Sequence, residues 1–414
     1  MGGAAPAAPV TVTGVPAPAR DPRAVVLTAG RRTPVGTAGH SLAAVDVVGL
    51  AAPVLAAVAT AVAPAGRGVD EVLLGNCLGP GGDVARVSAL AAGLGAEVPG
   101  VTVDRQCGSG LEAIRLAAAL VRAGDADLVL AGGVESASTA PWRFWPPDRT
   151  AAGPTAMDPA HRYTRAPFAP PGFADPDMGM AADDLAAARG IDRDRQDAYA
   201  ARSHARTVAA VRDGVFDAEL VPVAGVRRDD RPRPGLDETR LARLRPAFPA
   251  RTDGVRPTAT AGNSCGISDG AAAVAVTTAA VARASGSPYL EVMGGAVAAA
   301  DPALPGAVPA LAVRRLLDRH GLTVDDVDAV ELTEAFASVV LAAVDELAID
   351  PDRVCTEGGA IGLGHPWGAS GALLVLRLLS RLGRADVRPG AHGVAVCAIG
   401  GGQAVALLVR AGGR

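Results

Sequence analysis

ADLVLAGGVES, residues Ala126–Ser136, returns in altered form as HGVAVCAIGGG, residues His392–Gly402. Each is a short apolar, β-branched run that closes on glycines, the pattern of a buried strand. Working outward, each stands at the end of a similar succession. In the first half AVVLTAG (Ala24–Gly30) reads as a strand, DVVGLAAPVLAAVATAV as a helix and EVLLGNCLG as a strand. VPGVTVDRQC then reads as a strand and GSGLEAIRLAAALVRAG as a helix. In the second half YLEVMGGAV is a strand, ALAVRRLLDRHGL a helix, DAVELTEAFAS a strand turning into a helix, and GASGALLVLRLLSRLG a helix. Recurrence at so long a spacing implies duplication of a whole βαβ-type unit and not a solenoid. Alternating strands and helices imply a layered α/β architecture.

Composition agrees with two core-forming domains. The chain has 414 residues, 49% hydrophobic and 20% charged, with only 3% aromatic, so its core is built from Ala, Val and Leu. A net charge of −4 gives no basic footprint for a general nucleic-acid binder. All 39 basic residues are arginine, as a GC-rich genome would produce, which excludes a Schiff-base lysine and a GK[ST] phosphate loop. Five widely spaced cysteines without a CxxC pair read as free thiols of a reducing cytosol, not as disulfides or a metal site. No apolar run is read as reaching the roughly 18 residues that a membrane span needs. Residues 1–22 lack the marks of a signal peptide and read as a flexible Ala/Pro tail.

Between the halves, from Pro141 to about Arg256, the chain turns rich in Pro, Asp and Arg, with one clear helical portion, DRDRQDAYAARSHARTVAAVRDG. Too long for a connector, this segment reads as an excursion covering a site. Its arginines, among them Arg162, Arg165, Arg227 and Arg228, suit an anionic ligand or a solvated surface. Trp142, Phe144 and Trp145 suit a pocket wall or loop packing. The expected domains are 23–140 with 257–285, the inserted segment 141–256, and 286–414.

Two residues carry candidate chemistry. Cys107 stands where a strand gives way to CGSGLEAI, and a thiol at a helix N-terminus has its thiolate favoured and its pKa lowered. His365 lies in GGAIGLGHPWGASG, which opens the corresponding helix of the second half. Duplication would bring the two helix starts together, giving a Cys/His pair able to form a thiolate. The bland alternatives are a buried structural thiol and a histidine that hydrogen-bonds within its loop.

RTPVGTAGHSL, VDRQCGSGLEAI, AGGVES, DMGMAADDLA, TAGNSCGISDGAAAV, ELTEAFAS, GGAIGLGHPWGASG and the terminal glycine triplet occur in this order over residues 23–412. Together they resemble the thiolase family. The resemblance implies two duplicated βαβαβ-containing domains in a five-layered α-β-α-β-α arrangement with an inserted loop domain. It implies Cys107 as the acyl-accepting nucleophile and His365 as its base. Met178, Cys265, Phe336 and Gly400 would meet the substrate or the pantetheine arm of coenzyme A, which enters as substrate or product, with no metal and no other cofactor. The family usually has serine at Cys265. A homodimer or homotetramer in the cytoplasm is expected by the same resemblance.

Two positions depart from the family pattern. Thr333 stands at the asparagine of NEAF, where an oxyanion is held, and a hydroxyl replaces an amide. The acid/base cysteine of C-x-G-G-G falls at Ala398, with Cys397 one place early. One residue of displacement in a strand turns a side chain to the other face, unless a β-bulge restores it. The leading expectation is Claisen condensation or thiolytic cleavage through an acyl-Cys107 thioester. The alternatives are acyl transfer to a heteroatom or pre-activated carbon, hydrolysis of the acyl-enzyme, and a non-catalytic acyl-CoA-binding subunit.

Overall fold

The computed structural model describes residues 21–145, 161–249 and 253–412, so all but the last two residues of the expected tail lie outside the described residues. Strands β1 (Val25–Arg32), β2 (Gly36–Thr37), β3 (Glu71–Gly75), β4 (Gly100–Val103) and β5 (Leu128–Ser136) open the chain. A separate hairpin, β6 (Arg143–Phe144) with β7 (Arg162–Tyr163), precedes β8 (Ser268–Thr278), β9 (Tyr289–Ala299), β10 (Val327–Leu332), β11 (His392–Ile399) and β12 (Gln403–Ala411).

The strand order shows the duplication directly. The first half runs β4-β3-β5-β8-β1, parallel from β4 to β5 and antiparallel thereafter. The second half runs β10-β11-β12-β9 with the same senses, and a single parallel bridge from Val330 to Val354 takes the place of β4. The half-sheets meet edge to edge where Val26–Thr28 of β1 pairs with residues 289–291 of β9.

Helices α1 (Val47–Val62) and α2 (Val84–Ala91) cover the outer face of the first half-sheet. Helix α3 (Ser109–Ala123) buries Leu111, Ile114, Ala117, Ala118 and Val121, spaced by three and four residues, which makes one stripe. After α4 (Met178–Arg189), α5 (Arg193–Arg212), α6 (Glu238–Leu241) and α7 (Ala279–Ser285) come α8 (Pro309–Asp318), α9 (Ala337–Leu347), α10 (Ala360–Leu363) and α11 (Trp367–Leu382). Helices α3 and α11 lie between the half-sheets and share one core with both, while α8 and α9 cover the outer face of the second, backed by α4 and α5. The result is five layers, α-β-α-β-α. Glycines let the central helices touch: a Cβ on Gly110 would lie 2.6 Å from the Gly368 carbonyl oxygen.

Two sequence expectations are corrected here. The stretch Val47–Ala65, α1 and the turn after it, is 19 residues of mean hydropathy 2.0, long and apolar enough to cross a membrane by length and composition. In this fold its Leu50, Val54, Leu55, Val58 and Val62 pack into the outer core. The excursion also holds a second long helix, α4, whose short alanine-rich sequence carries little amphipathic signal.

The excursion is tied to both halves. Arg32 of β1 bonds Glu219 at 2.5 Å and Asp229 at 2.6 Å, and Arg377 of α11 also pairs with Glu219. The Phe216 ring lies between the two guanidinium groups, 5.2 Å from Arg32 and 4.4 Å from Arg377.

Candidate active site

The nucleophile candidate is set on a tight turn. Gln106, just before Cys107, has φ of +48°, a left-handed conformation uncommon for a residue with a side chain. Its carbonyl holds the turn by accepting from Ser109 Oγ at 2.6 Å and from the Cys77 thiol at 3.2 Å. A short 3₁₀ turn over Gln106–Gly108 then leads into α3. The Cys107 sulfur is met by its own N–H and by that of Gly400. Burial nevertheless pushes the thiol up to about 12, so desolvation outweighs the helix terminus and the expected lowering does not occur. A thiol so placed reacts only when a base takes its proton.

His365 supplies a base of the right kind. Its backbone N–H donates to the Gly266 carbonyl at 2.9 Å and to Ser268 Oγ at 3.1 Å. Its Nδ1 lies 2.6 Å from Ser370 Oγ, and that hydroxyl donates to the Pro366 carbonyl at 3.0 Å. With its hydrogen so engaged, Ser370 accepts from Nδ1–H, which leaves Nε2 as the bare, basic nitrogen. Nε2 is buried without a partner among the described residues, on a side chain 2% exposed. Burial lowers the imidazole to about 4, so it is neutral near pH 7. His365 precedes α11 by two residues, and the first turn of α11 crosses α3 at Gly110. The two helix starts expected to meet are therefore neighbours.

Three further side chains frame the site, and sequence reasoning had singled out none of them. Glu135, at the end of β5, accepts from the amides of Cys77, Leu78 and Gly368 at 3.1 Å each and from Asn76 Nδ2 at 3.0 Å. It thereby joins the strand end to the first turn of α11. Glu334 accepts from Tyr199 at 2.6 Å, Ser203 at 2.7 Å and the Ile361 amide at 3.0 Å, linking α5 to the loop before His365. Burial raises both carboxyls. Arg231 donates to the carbonyls of Ile361 at 2.7 Å and Ser264 at 2.8 Å, fixing the loops of His365 and Cys265 to each other. The acids sit inside the quoted AGGVES and ELTEAFAS, where a carboxylate in an apolar run was the available signal.

The register of β11 settles the question at Cys397. Every residue from His392 to Ile399 pairs with β12 without a shift, so no bulge displaces the strand there. Cys397 is 0% exposed and packs with Ala395 and Ile399 on the central layer, whereas part-exposed Ala398 faces the opposite way, against the outer core of the second half. Ile399 reaches the nucleophile turn, its Cδ1 lying 2.5 Å from where a Cβ on Gly108 would be. Thr333 Oγ1 donates to the Cys397 sulfur at 3.2 Å, and Thr333 is 1% exposed. These two residues are therefore buried and bonded to each other, with the Cys107 sulfur near enough to raise the Cys397 thiol further.

The remaining candidates fall as follows. The Cys265 amide donates to the Ala335 carbonyl at 3.0 Å, and Ser264 bridges Phe336. Phe336 meets Phe248 edge-on at 6.0 Å, and Phe248 lies against Gly179, the residue after Met178. Gly400 is covered by Phe168. Arg165 stacks on that ring at 4.4 Å and pairs with Asp175 at 2.7 Å, Arg162 stacks on Trp142 at 4.4 Å, and Arg227 and Arg228 are exposed. Trp142 and Trp145 are exposed too, Trp145 stacking on Tyr163 at 4.8 Å. A cavity of about 500 Å³ lies at the other end of the 16-residue α11, lined by Arg283, Tyr289 and Arg384 and, among the described residues, by no cysteine, histidine or carboxylate.

The comparisons with known proteins agree with this fold. Residues 25–280 match the family model of the thiolase N-terminal domain, and residues 287–411 that of the thiolase C-terminal domain. The acetyl-CoA acetyltransferase of Pseudomonas aeruginosa is 40% identical over 401 residues, covering 93% of this chain and 98% of that one. That of Chromobacterium violaceum is 38% identical over 409 residues, covering 93% and 99%. The crystal structure of the Bacillus anthracis acetyl-CoA acetyltransferase superposes with a TM-score of 0.81 at 35% identity, covering 94% of this chain and 98% of that chain.

Proposed function

The chain belongs to the thiolase family of acyltransferases, and on that premise we propose that it cleaves 3-ketoacyl-CoA thiolytically, or condenses acyl-CoA in reverse, through a thioester on Cys107. The observation that carries this reading is the buried, unpartnered Nε2 of a neutral His365 at the helix start beside the Cys107 turn. In this reading Nε2 takes the thiol proton and the thiolate attacks the acyl carbonyl. The Cys107 and Gly400 amides that now meet the sulfur then hold the developing oxyanion. When acyl-CoA is the donor the imidazolium returns its proton to the departing coenzyme A thiolate, and the acyl-enzyme waits for its acceptor.

Coenzyme A acts as substrate or product, without a metal or redox cofactor, and a homo-oligomer working in the cytoplasm completes the proposal. A second reading is supported by the strand register. With Ala398 where a proton-transferring thiol would stand, the acyl group passes to a heteroatom or to a carbon that is already activated.

Intact-protein mass after incubation with acetyl-CoA tests the shared premise. One acetyl group should appear on the wild type and none on Cys107→Ser, and an unmodified wild type would leave only a binding role. Thiolysis of acetoacetyl-CoA with free coenzyme A then separates the readings. Turnover supports carbon–carbon chemistry, and acylation without turnover supports the other acceptor.

A further inference from the structure

Breaking the carbon–carbon bond of a 3-ketoacyl thioester leaves a carbanion at C2 that must take a proton, and the reverse reaction must remove that proton. The group responsible has to bear an exchangeable proton and reach the space between the Cys107 turn and His365. Cys397 and Thr333 are closed off in the core and bonded to each other. Cys355 is buried on the Leu332 carbonyl, and Cys77 is bonded to the Gln106 carbonyl. His365 has one free nitrogen, which the nucleophile requires.

Cys265 is placed differently. Its segment is stitched on one side to the turn after Thr333, by Cys265 N–H to the Ala335 carbonyl at 3.0 Å and by the Ser264–Phe336 bridge. On the other side it runs along His365, whose N–H bonds the next residue, Gly266, at 2.9 Å, and whose backbone bridges Ile267. The residue is part-exposed, and its thiol donates to no acceptor among the described residues. Burial pushes its thiol up to about 12, against which Arg231, holding the Ser264 carbonyl at 2.8 Å, favours a negative charge on the sulfur, and the Cys107 sulfur lies near enough to raise it further.

We propose that Cys265 is the acid and base of the carbon–carbon step, a role that rests on the thioester chemistry proposed above. In cleavage, the Cys107 thiolate adds to the 3-keto carbonyl and the C2–C3 bond breaks. Its electron pair goes to C2, which takes the Cys265 S–H proton and leaves as acetyl-CoA. The Cys265 thiolate then takes the proton of free coenzyme A, whose thiolate attacks the acyl group on Cys107. Cys107 leaves as a thiolate and takes back the proton held on His365 since the first step, so both thiols return to their starting state and the protons balance.

The test compares wild type, Cys265→Ser and the double variant Cys265→Ser/Ala398→Cys by three readouts. These are Cys107 acylation by acetyl-CoA, thiolysis of acetoacetyl-CoA, and exchange of the acetyl-CoA methyl hydrogens in D₂O. Cys265→Ser should acylate within about threefold of wild type, which also shows that it folds, while thiolysis falls about 100-fold or more and exchange stops. The double variant, with a thiol at the position where the family pattern has its acid/base cysteine, should regain about tenfold in thiolysis. Thiolysis or exchange in Cys265→Ser within about threefold of wild type would overturn the assignment, as would a wild type that acylates without any carbon–carbon turnover. A wild type that does not acylate sinks the thioester reading itself.

Discussion

Cys107 stands in the first half and Cys397 in the second, and burial pushes both thiols up to about 12. Their surroundings separate them. Cys107 stands on the turn before α3, where two backbone amides meet its sulfur and the start of α11 lies alongside. Cys397 stands inside a regular strand, under Ile399, with Thr333 as its donor. A raised pKa therefore does not distinguish a nucleophile from a core thiol. What distinguishes them is whether a base and an oxyanion site can reach the sulfur. In the proposed reading the duplicated scaffold divides the task, giving the nucleophile to the helix start of the first half and the base to that of the second.

The strongest challenge to this contrast is Cys107→Ser, for which turnover of any acyl-CoA should fall by about 10⁴-fold or more, measured by coenzyme A release. A surviving rate would mean that another thiol can do the work. His365→Ala should cost about 10²- to 10⁴-fold in acylation, since burial holds the thiol at about 12 and the proposed route for its proton is Nε2.

A titration sharpens the comparison on the base side. The His365 imidazole is held at about 4 in the fold against 6.5 in the unfolded chain, so the unfolded chain binds the proton first. Its contribution to stability is complete above pH 6.5 and is lost as pH falls towards 4, by about 3 kcal/mol at the limit. Denaturant midpoints at pH 7 and pH 4 should differ less for His365→Asn than for wild type. An equal pH dependence would place the imidazole in water.

The smallest expected effect belongs to Cys397→Ala. Turnover should stay within about twofold, while the lost sulfur leaves a small void and an unpaired Thr333 hydroxyl that cost about 1–2 kcal/mol in unfolding. Loss of turnover with acylation intact would instead bring Cys397 back as an acid/base group.

Cys107 and His365 were legible as candidates in the sequence because both lie in glycine-rich turns opening apolar helices, a local pattern. Glu135, Glu334, Arg231 and Ser370 were passed over because the hydrogen bonds that define their roles mostly join distant segments. Glu135 bonds Gly368, and Arg231 bonds Ile361. The direction of the Cys107 pKa was misread for a related reason. A helix terminus is visible in sequence, whereas the desolvation that overrides it is a sum over the whole surrounding core.

By itself the sequence determined the layered duplicated fold, because alternating apolar periods of two and 3.6 residues are local and appear in each half. It also determined that Ala398 and Cys397 lie on opposite faces of any regular strand. Only the tertiary structure decided that the strand is regular. A bulge depends on what β11 must match in β12, and that pairing holds one register from His392 to Ile399. The same packing closed Cys397 and Thr333 into the core and left Cys265 between Ala335 and His365, because burial and contact are properties of the assembled layers.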